Sequence, residues 1–403
     1  MNKVIIIGGG AAGFFTAINA KEQNPGLDIT ILEKGKEVLQ KVKISGGGRC
    51  NVTHACFEPK ELVKFYPRGE KELLGPFHTF MTGDTFEWFD DRGVPLKIES
   101  DNRVFPEANT SQAIIDCFQK QIERLDIKVL KNHGVNSIEK DKKQWIVATK
   151  NETFIADLLV VTAGSSAKAW GLAKNLGHTI VEPVPSLFTF NIKDKRIIEL
   201  LGISVPNATV NIVGTKLEAS GPLLITHWGM SGPAVLKLSA FGARILAEKN
   251  YQYNVEVNWL SRPTDKIVNV LLNLKKKQPK KQVILKSPFT EIPRRLWERL
   301  VVASGISEKH KWADLSNKQI EALANQLTKG MFNANGKSTF KEEFVTAGGI
   351  DLKEINFKRF ESRIHNNLFF VGEMLNIDAV TGGFNFQNAW TGGFIAAKAI
   401  AED

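Results

Sequence analysis

The sequence has few of the features that mark several protein classes. It contains three cysteines in 403 residues, Cys50, Cys56 and Cys117, with no CxxC pair and no Cys/His metal spacing. An odd count with these spacings argues against a disulfide framework and fits a reducing compartment. Uninterrupted apolar runs of about 18 residues or more are absent, so we expect no membrane span. We also find no internal repeat, Walker A sequence or Ser-His-Asp ordering.

The first 20 residues resemble a signal peptide in composition, with Lys3 followed by apolar and then small residues. Four glycines interrupt this stretch in a regular pattern, which a strand, a turn and a helix explain better. We therefore expect a cytoplasmic protein with no membrane partner.

The same stretch carries a nucleotide-binding pattern. The apolar run 4–7 is followed by Gly8, Gly10 and Gly13, and Glu33 stands 20 residues beyond the last of these glycines. A strand, GxGxxG, a helix and an acidic residue at this distance form the dinucleotide-binding fingerprint.

Each residue of this pattern has a physical role. Gly8 permits the tight turn, Gly10 lets the backbone approach a pyrophosphate, and Gly13 allows the helix to pack closely on the strand. The helix predicted over about 11–21 points its free N–H groups at the phosphates. Glu33 accepts hydrogen bonds from a ribose hydroxyl. The pattern predicts a nucleotide cofactor.

Hydrophobic periodicity outlines the remaining organisation. Strands are predicted at 127–130, 144–149, 158–162, 187–192, 208–213 and 253–258. The pattern from 263 to 330 is helical, and Ser316 and Gln319 form a capping box that opens a helix over 320–327. Strand signals resume near Phe340. The nucleotide-binding domain is therefore interrupted by an insertion of roughly residues 190–340.

The C-terminal segment indicates which cofactor binds. A buried-strand pattern at 368–371 runs into Gly372 and Glu373, and then come Asp378, the run 381–387 and a terminal helix. Glycines let the backbone press against a flat ring, and a helix N-terminus stabilises the negative charge of a reduced flavin. Asp378 is placed to bond the ribityl hydroxyls. An ordinary glycine-rich turn before a packing helix is the alternative.

With these motifs in view, the chain resembles the BaiN/YhiN-type NAD(P)/FAD-dependent oxidoreductases, a branch of the two-dinucleotide-binding-domain flavoprotein superfamily. The matching segments extend over most of the chain: GGGAAG, ISGGGRCN, RVFP, VVTAG, GPLLITHWGMSGPAVLKLS, VTAGGI and GEMLNIDAVTGGFNFQNAW. The second and fifth of these are specific to the family.

The resemblance implies an α/β fold, in which a Rossmann-like FAD-binding domain carries an inserted β-barrel-like domain and a small helical subdomain. The expected boundaries are 1–189 for the first part of the FAD domain, 190–262 for the β domain, 263–332 for the helical subdomain, 333–345 for the return of the β domain and 346–403 for the second part of the FAD domain.

The resemblance also assigns residues to the cofactor. The pyrophosphate is expected at Gly8, Gly10, Ala11, Ala12 and Gly13, with Ala163 and Gly164 beside it. The adenosine is expected at Glu33, Lys34 and Val135. Further contacts around FAD fall on Lys41, Ser45, Gly46, Gly47, Gly48, Arg49, Cys50 and Asn51. The ribityl chain and the flavin ring are expected at Gly372, Glu373, Asp378, Gly383, Asn385, Phe386 and Gln387.

The sequence departs from this family pattern in two places. The loop after Gly164 is shorter than in relatives and runs almost directly into a helix. Asn376 stands where many relatives carry Asp. The first departure affects the substrate entrance, and the second removes a charge near the flavin.

Candidate catalytic residues are fewer. His227 titrates near neutrality and can move a proton in step with hydride transfer, although a histidine that satisfies a turn is an equal alternative. Arg103 is a candidate anchor for an acidic substrate, but we favour a surface ion pair for it. For Arg49 we favour a role in loop structure or with FAD phosphate, and for Cys50 a space-filling role.

The predicted activity is NAD(P)H-dependent reduction of a small organic substrate by a noncovalently bound FAD. No second GxGxxG unit is present, so NAD(P)H must dock transiently. Oxidation of a small amine, as in aminoacetone-oxidase-like flavoproteins, is the enzymatic alternative. The net charge of +10 and the lysines of 275–286 leave an RNA-binding, tRNA-modifying flavoprotein as a third reading. The composition favours a solvated helix face there, and we do not expect nucleic acid as a partner. The sequence does not define the oligomeric state.

Overall fold

The computed structural model describes residues 2–339 and 345–403, which form two compact units. One comprises residues 2–184 and 345–403, and the other lies within 185–344. The limits at 184/185 and 344/345 precede the expected boundaries at 189/190 and 345/346. The strand signals predicted near Phe340 lie outside the described residues.

The first segment alternates strands and helices. Its strands are β1 (Lys3–Ile7), β2 (Asp28–Leu32), β3 (Thr53–His54), β4 (Leu96–Ile98), β5 (Arg103–Pro106), β6 (Lys128–Leu130), β7 (Val135–Asp141), β8 (Gln144–Thr149), β9 (Thr153–Ala156), β10 (Leu158–Val161) and β11 (Ile180–Ser186). Its helices are α1 (Ala11–Gln23), α2 (Gln40–Gly48), α3 (Pro59–Leu62), α4 (Glu70–Phe77), α5 (Thr82–Asp90), α6 (Gln112–Arg124) and α7 (Ala167–Asn175).

The later segments contain the second unit and the return to the first. The second unit has strands β12 (Thr189–Ile192), β13 (Ser204–Ile212), β14 (Glu218–Ile225), β15 (Gly229–Ser231), β16 (Gln252–Asn258) and β17 (Gly330–Ser338), and helices α8 (Pro233–Phe241), α9 (Ala243–Glu248), α10 (Thr264–Lys277), α11 (Arg294–Ala303) and α12 (Asn317–Thr328). The returning segment has β18 (Val345–Ile350), β19 (Ile355–Asn356), β20 (Glu361–Ser362), β21 (Leu368–Phe370) and α13 (Phe384–Glu402).

A seven-stranded sheet organises the first unit, in the order β19-β20-β21-β10-β1-β2-β6. The strands β21, β10, β1, β2 and β6 run parallel. Parallel strands are covered on both faces and read as continuous apolar runs, and residues 4–7 are accordingly at most 7% exposed. The strand from the C-terminal segment thus lies beside strands from the N-terminal segment, and α13 packs on α1.

The second unit is built on a closed barrel of β12, β15, β14, β13, β16 and β17. Its inward residues alternate along the strands and join one apolar core with buried residues of α10, α11 and α12, including Trp297 and Leu323. The predicted fold class is confirmed: a Rossmann-type α/β domain carries a β-barrel insertion and a helical part.

Two further sequence predictions concern local structure. The capping box is confirmed, since Ser316 Oγ accepts the Gln319 N–H at 3.2 Å while Gln319 Oε1 accepts the Ser316 N–H at 3.0 Å. The strand predicted at 208–213 begins earlier, at Ser204, and carries a bulge between Val205 and Ala208 that interrupts its alternation. None of the described helices has the length and apolar character that a membrane crossing requires.

Candidate functional site: an FAD cradle at the carboxyl ends of the parallel strands

The fingerprint glycines form a tight turn at the carboxyl end of β1. A Cβ built on Gly13 would lie 2.1 Å from the Gly8 carbonyl oxygen and 2.8 Å from Thr162 Oγ1, so only glycine lets α1 approach this strand. At Gly10, a built Cβ meets no atom within 4 Å. Gly10 caps α1 without a side-chain hydrogen bond. The N-terminus of α1, including Ala11 and Ala12, therefore faces open space that suits a pyrophosphate.

Glu33 lies just beyond β2 with its carboxylate held by the backbone. Its Oε2 accepts the Gly9 N–H at 2.9 Å, and its Oε1 accepts the Gly35 N–H at 2.6 Å. Gly134 lies close to Lys34, since its built Cβ would be 3.3 Å from Lys34 Cβ, and Val135 follows as the first, buried residue of β7. The three residues expected at the adenosine therefore lie near one another.

The second glycine loop breaks α2. Helical dihedrals stop at Ser45, and Gly46 and Gly47 are left-handed, with φ of 58° and 69°. A Cβ on Gly46 would lie 2.9 Å from both the Asn51 nitrogen and Phe105 Cε1, whereas one on Gly47 meets no atom within 4 Å. The loop, which includes Gly48, therefore packs tightly on one side and leaves its other side open, as a backbone that holds a ligand requires.

Side chains of this loop have protein partners. Arg49 Nη1 donates to Glu99 Oε1 at 2.6 Å, and its guanidinium lies 3.9 Å from the centre of the Phe105 ring. Burial raises the pKa of the Cys50 thiol to about 12, so this thiol is not a reactive nucleophile. Both observations fit the structural roles that the sequence favoured.

The C-terminal strand brings a second set of residues to the same edge of the sheet. A Cβ built on Gly372 would lie 3.5 Å from Ala12 Cβ. Glu373 forms an ion pair with Lys41, and a Cβ on Gly164, which follows Ala163 after β10, would lie 3.5 Å from Glu373 Oε2. Residues predicted from three distant parts of the sequence thus meet beyond β1, β10 and β21.

Asp378 is fully buried and forms an ion pair with Arg68, which the sequence analysis did not identify. The carboxylate, expected at the ribityl chain, is therefore fixed by a cation of the first unit. Arg68 precedes Gly69, which is left-handed with a φ of 94° and whose built Cβ would lie 2.7 Å from Ile377. The Pro-Arg-Gly triplet at 67–69 is the one local signal of this contact.

Residues at the start of α13 use their side chains within the protein. Gln387 is fully buried, and its Oε1 accepts hydrogen bonds from Thr53 at 2.6 Å and Thr85 at 2.9 Å. Asn385 Oδ1 accepts the Ala379 N–H at 3.1 Å. Phe386 stacks on the buried Trp390, with 5.5 Å between ring centres. These contacts fix the helix end.

Further contacts attach the turn before α13 to the N-terminal segment. With its amide nitrogen toward the carbonyls of Thr53 and Val104, Asn51 accepts the Gly383 N–H at 3.0 Å. His54, also missed from the sequence, bonds the Gly382 oxygen through Nδ1 at 3.2 Å and packs 4.5 Å from the Phe384 ring. Burial lowers the pKa of His54, which keeps the imidazole neutral.

Asn376 supplies an acceptor at this edge of the sheet. Its Oδ1 is buried and has no hydrogen-bond partner among residues 2–339 and 345–403. Asn376 lies between Gly372 and Asp378 in the segment where the flavin and ribityl chain are expected. A buried acceptor without a donor suits a polar ligand. The residues present therefore fit FAD: two glycine turns with an open side, the N-terminus of α1 and the unpartnered acceptor of Asn376.

The two candidate catalytic residues lie in different units. His227 and Trp228 are exposed in the turn between β14 and β15, with their rings edge to face at 5.3 Å. Arg103, in β5 of the first unit, bonds Asp101 Oδ2 at 2.7 Å and lies 3.7 Å from Glu99 Oε2. Arg103 thus forms the surface ion pair that the sequence analysis favoured for it. Among the described residues, no His, Cys, Asp and Glu group could hold a metal ion.

Comparison with known proteins gives the family context. The family model described as the HI0933-like protein Rossmann domain matches residues 2–399. A ribosomal RNA dihydrouridine synthase of Haemophilus influenzae is 29% identical, over 98% of each chain. A 3-dehydro-bile acid delta(4,6)-reductase of Clostridium scindens is 26% identical, over 100% of each chain.

Solved structures agree on the fold. A 3-ketosteroid-delta4-(5alpha)-dehydrogenase of Rhodococcus jostii superposes with a TM-score of 0.52 at 12% identity, over 100% of this chain and 97% of that one. At this identity the likeness concerns the fold alone. The chain belongs to the HI0933-like family, and it is an FAD-dependent oxidoreductase.

Proposed function

We propose that this member of the HI0933-like family reduces a carbon–carbon double bond conjugated to a carbonyl group, with NAD(P)H as the electron donor. The names of its two relatives support this reaction class. Reduction of a 3-oxo bile acid at positions 4 and 6 saturates double bonds conjugated to the 3-oxo group. Formation of dihydrouridine saturates the uracil C5–C6 bond, which is conjugated to the C4 carbonyl. One reaction type therefore covers both substrates.

The observation that carries the proposal is the cradle at the carboxyl ends of β1, β10 and β21. FAD bound there supplies hydride transfer at its N5 atom. The N-terminus of α1 would hold the pyrophosphate and the glycine loop at 45–51 would wrap the cofactor, while the ion pair of Arg68 and Asp378 fixes the segment expected at the ribityl chain. Because no group of the described residues packs against the backbone on the open side of these segments, the cofactor can contact it there. The binding energy of those contacts then positions the cofactor.

Reduction of such a substrate needs two additions. A hydride adds to the carbon β to the carbonyl, and a proton adds to the α carbon. We propose His227 as the proton donor, because an imidazolium group can donate a proton and this side chain is exposed. Arg103 is a proposed anchor for acidic substrates, although its bonds to Asp101 and Glu99 compete with that role.

Anaerobic stopped-flow absorbance tests both halves of the reaction. NADH or NADPH should bleach the flavin rapidly, and a 4-en-3-one steroid or uridine should then restore its colour without oxygen. His227→Gln should slow the second step and leave the first unchanged, because only the second consumes the proton. Anaerobic bleaching by aminoacetone but not by NAD(P)H, followed by recolouring when oxygen is admitted, would instead establish the amine oxidase alternative.

A further inference from the structure

Positive charge is concentrated in one part of the second unit. Residues 261–330 hold fifteen Lys or Arg and six Asp or Glu, a net charge of +9 of the chain's +10. The other 333 residues are almost balanced, at +1. The positive field of the protein therefore originates around α10, α11 and α12 and attracts anions to that surface.

Backbone hydrogen bonds bring two lysine-rich segments of this region together. The Val283 N–H donates to the His310 oxygen at 3.1 Å, and the Trp312 N–H donates to the Lys281 oxygen at 3.0 Å. An isolated bridge also pairs Gln282 with Lys311. Lysines about 30 positions apart in sequence thus become neighbours. We call these exposed residues the lysine surface: Lys276, Lys277, Lys280, Lys281, Lys309 and Lys311.

Neighbouring acids do not neutralise this surface. Among the described residues, the ion pairs of residues 261–330 are those of Arg262, Arg294 and Arg299, and none includes a residue of the lysine surface. Glu308 lies next to Lys309 in sequence, and the Asp314 carboxylate accepts the Lys311 N–H at 2.8 Å. Together, residues 276–281 and 308–314 hold six lysines and two acidic residues, which leaves a positive excess.

The lysine surface also has a fixed support. Trp297 is buried, and its Nε1 donates to the Val283 oxygen at 2.9 Å. Trp312 is 3% exposed and anchors the second segment. Because these aromatic rings and that of Phe289 are buried, residues 261–330 present no exposed Phe, Tyr or Trp ring on which an unpaired base could stack, and the His310 ring is half-buried.

We propose that the lysine surface binds the phosphate backbone of a helical region of a folded RNA. Spaced cations without stacking rings suit the regular phosphates of a duplex better than a single strand. The choice of RNA rests on the proposed function, because uracil contains the conjugated double bond of that reaction. This proposal differs from the solvated helix face that the sequence analysis favoured for these lysines.

Fluorescence anisotropy of the holoenzyme with a labelled RNA hairpin, its stem about 16 base pairs long, tests this proposal. With six phosphates neutralised, the slope of log K against log salt should be about −5, and affinity should fall about 10³-fold between 50 and 200 mM salt. The triple variant K280Q/K281Q/K311Q should reduce the slope by about 3. The matched control K142Q/K143Q/K150Q changes three exposed lysines in turns of the first unit and should bind like the wild type.

Three outcomes would overturn the proposal. The first is that the hairpin shows no salt-dependent binding, and the second is that both triple variants lose the same amount of affinity for it. The third is that K280Q/K281Q/K311Q loses binding to phosphatidylserine vesicles but keeps its binding to RNA. Flavin bleaching by NAD(P)H and recolouring by a small enone are measured on the same variants and should not change. If wild-type protein fails those two steps but binds the hairpin as described, the proposed function fails while the lysine surface stands.

Discussion

Substitution of Gly10 by alanine separates cofactor binding from folding. The Gly10 backbone has a φ of −96°, which alanine adopts readily, and a Cβ there meets no protein atom within 4 Å. The apoprotein should therefore accept the methyl group, with a change of about 1 kcal/mol or less in the free energy of unfolding. The same methyl group projects into the space where the backbone must approach the pyrophosphate.

The expected loss concerns FAD affinity. A methyl group that holds the phosphate away from the N-terminus of α1 removes one hydrogen bond to a charged group, worth about 1.5–3 kcal/mol. At 1.4 kcal/mol for each factor of ten, the dissociation constant of FAD should rise about 10- to 100-fold. Flavin fluorescence titration of apoprotein measures this constant, and thermal unfolding of the same samples measures stability.

Two further alanine substitutions serve as controls. Gly13→Ala places Cβ 2.1 Å from the Gly8 oxygen and should destabilise the apoprotein itself by about 1–3 kcal/mol or more. Gly171→Ala, in an open position of α7, should leave FAD affinity unchanged. Wild-type FAD affinity in Gly10→Ala, with the protein folded, would refute the position assigned to the pyrophosphate.

Three other predictions follow from buried groups. Arg68→Met should lower the free energy of unfolding by about 3–5 kcal/mol, because it removes the cation paired with buried Asp378, and adding Asp378→Asn should recover part of that loss in urea denaturation. Burial lowers the pKa of His178 from 6.5, so the unfolded chain binds more protons and stability should fall as the pH drops below 6.5; His178→Asn should flatten this dependence. In native protein, a disulfide reagent should modify partly exposed Cys56 and spare buried Cys50, and mass spectrometry after Cys56→Ser should show no labelling of residue 50.

The parts of the fold that could be predicted from sequence depend on local patterns. The glycine fingerprint, the buried strand 158–161 and the capping box at Ser316 each lie within a few consecutive residues, where periodicity and turn chemistry are informative. The start of β13 was placed late because the bulge after Val205 breaks the two-residue alternation that marks a strand.

Contacts between distant residues could not be predicted in this way. Arg68 and Asp378 are 310 positions apart, and His178 bonds Glu354 and Ser362, which are 176 and 184 positions away. No local period links such residues, because the fold alone brings them together. For the same reason the sequence indicated the lysines of 275–286 but not the backbone contacts that bring their segment next to residues 310–312.

The cradle takes its strands from distant parts of the chain, because β1 ends at Ile7 whereas β21 begins at Leu368 and α13 at Phe384. During synthesis the nascent polypeptide must therefore wait until β21 and α13 leave the ribosome before it can retain flavin. Fragments that end before residue 368 should emerge colourless, and flavin supply should affect the yield of protein only after residues 368–402 have been translated.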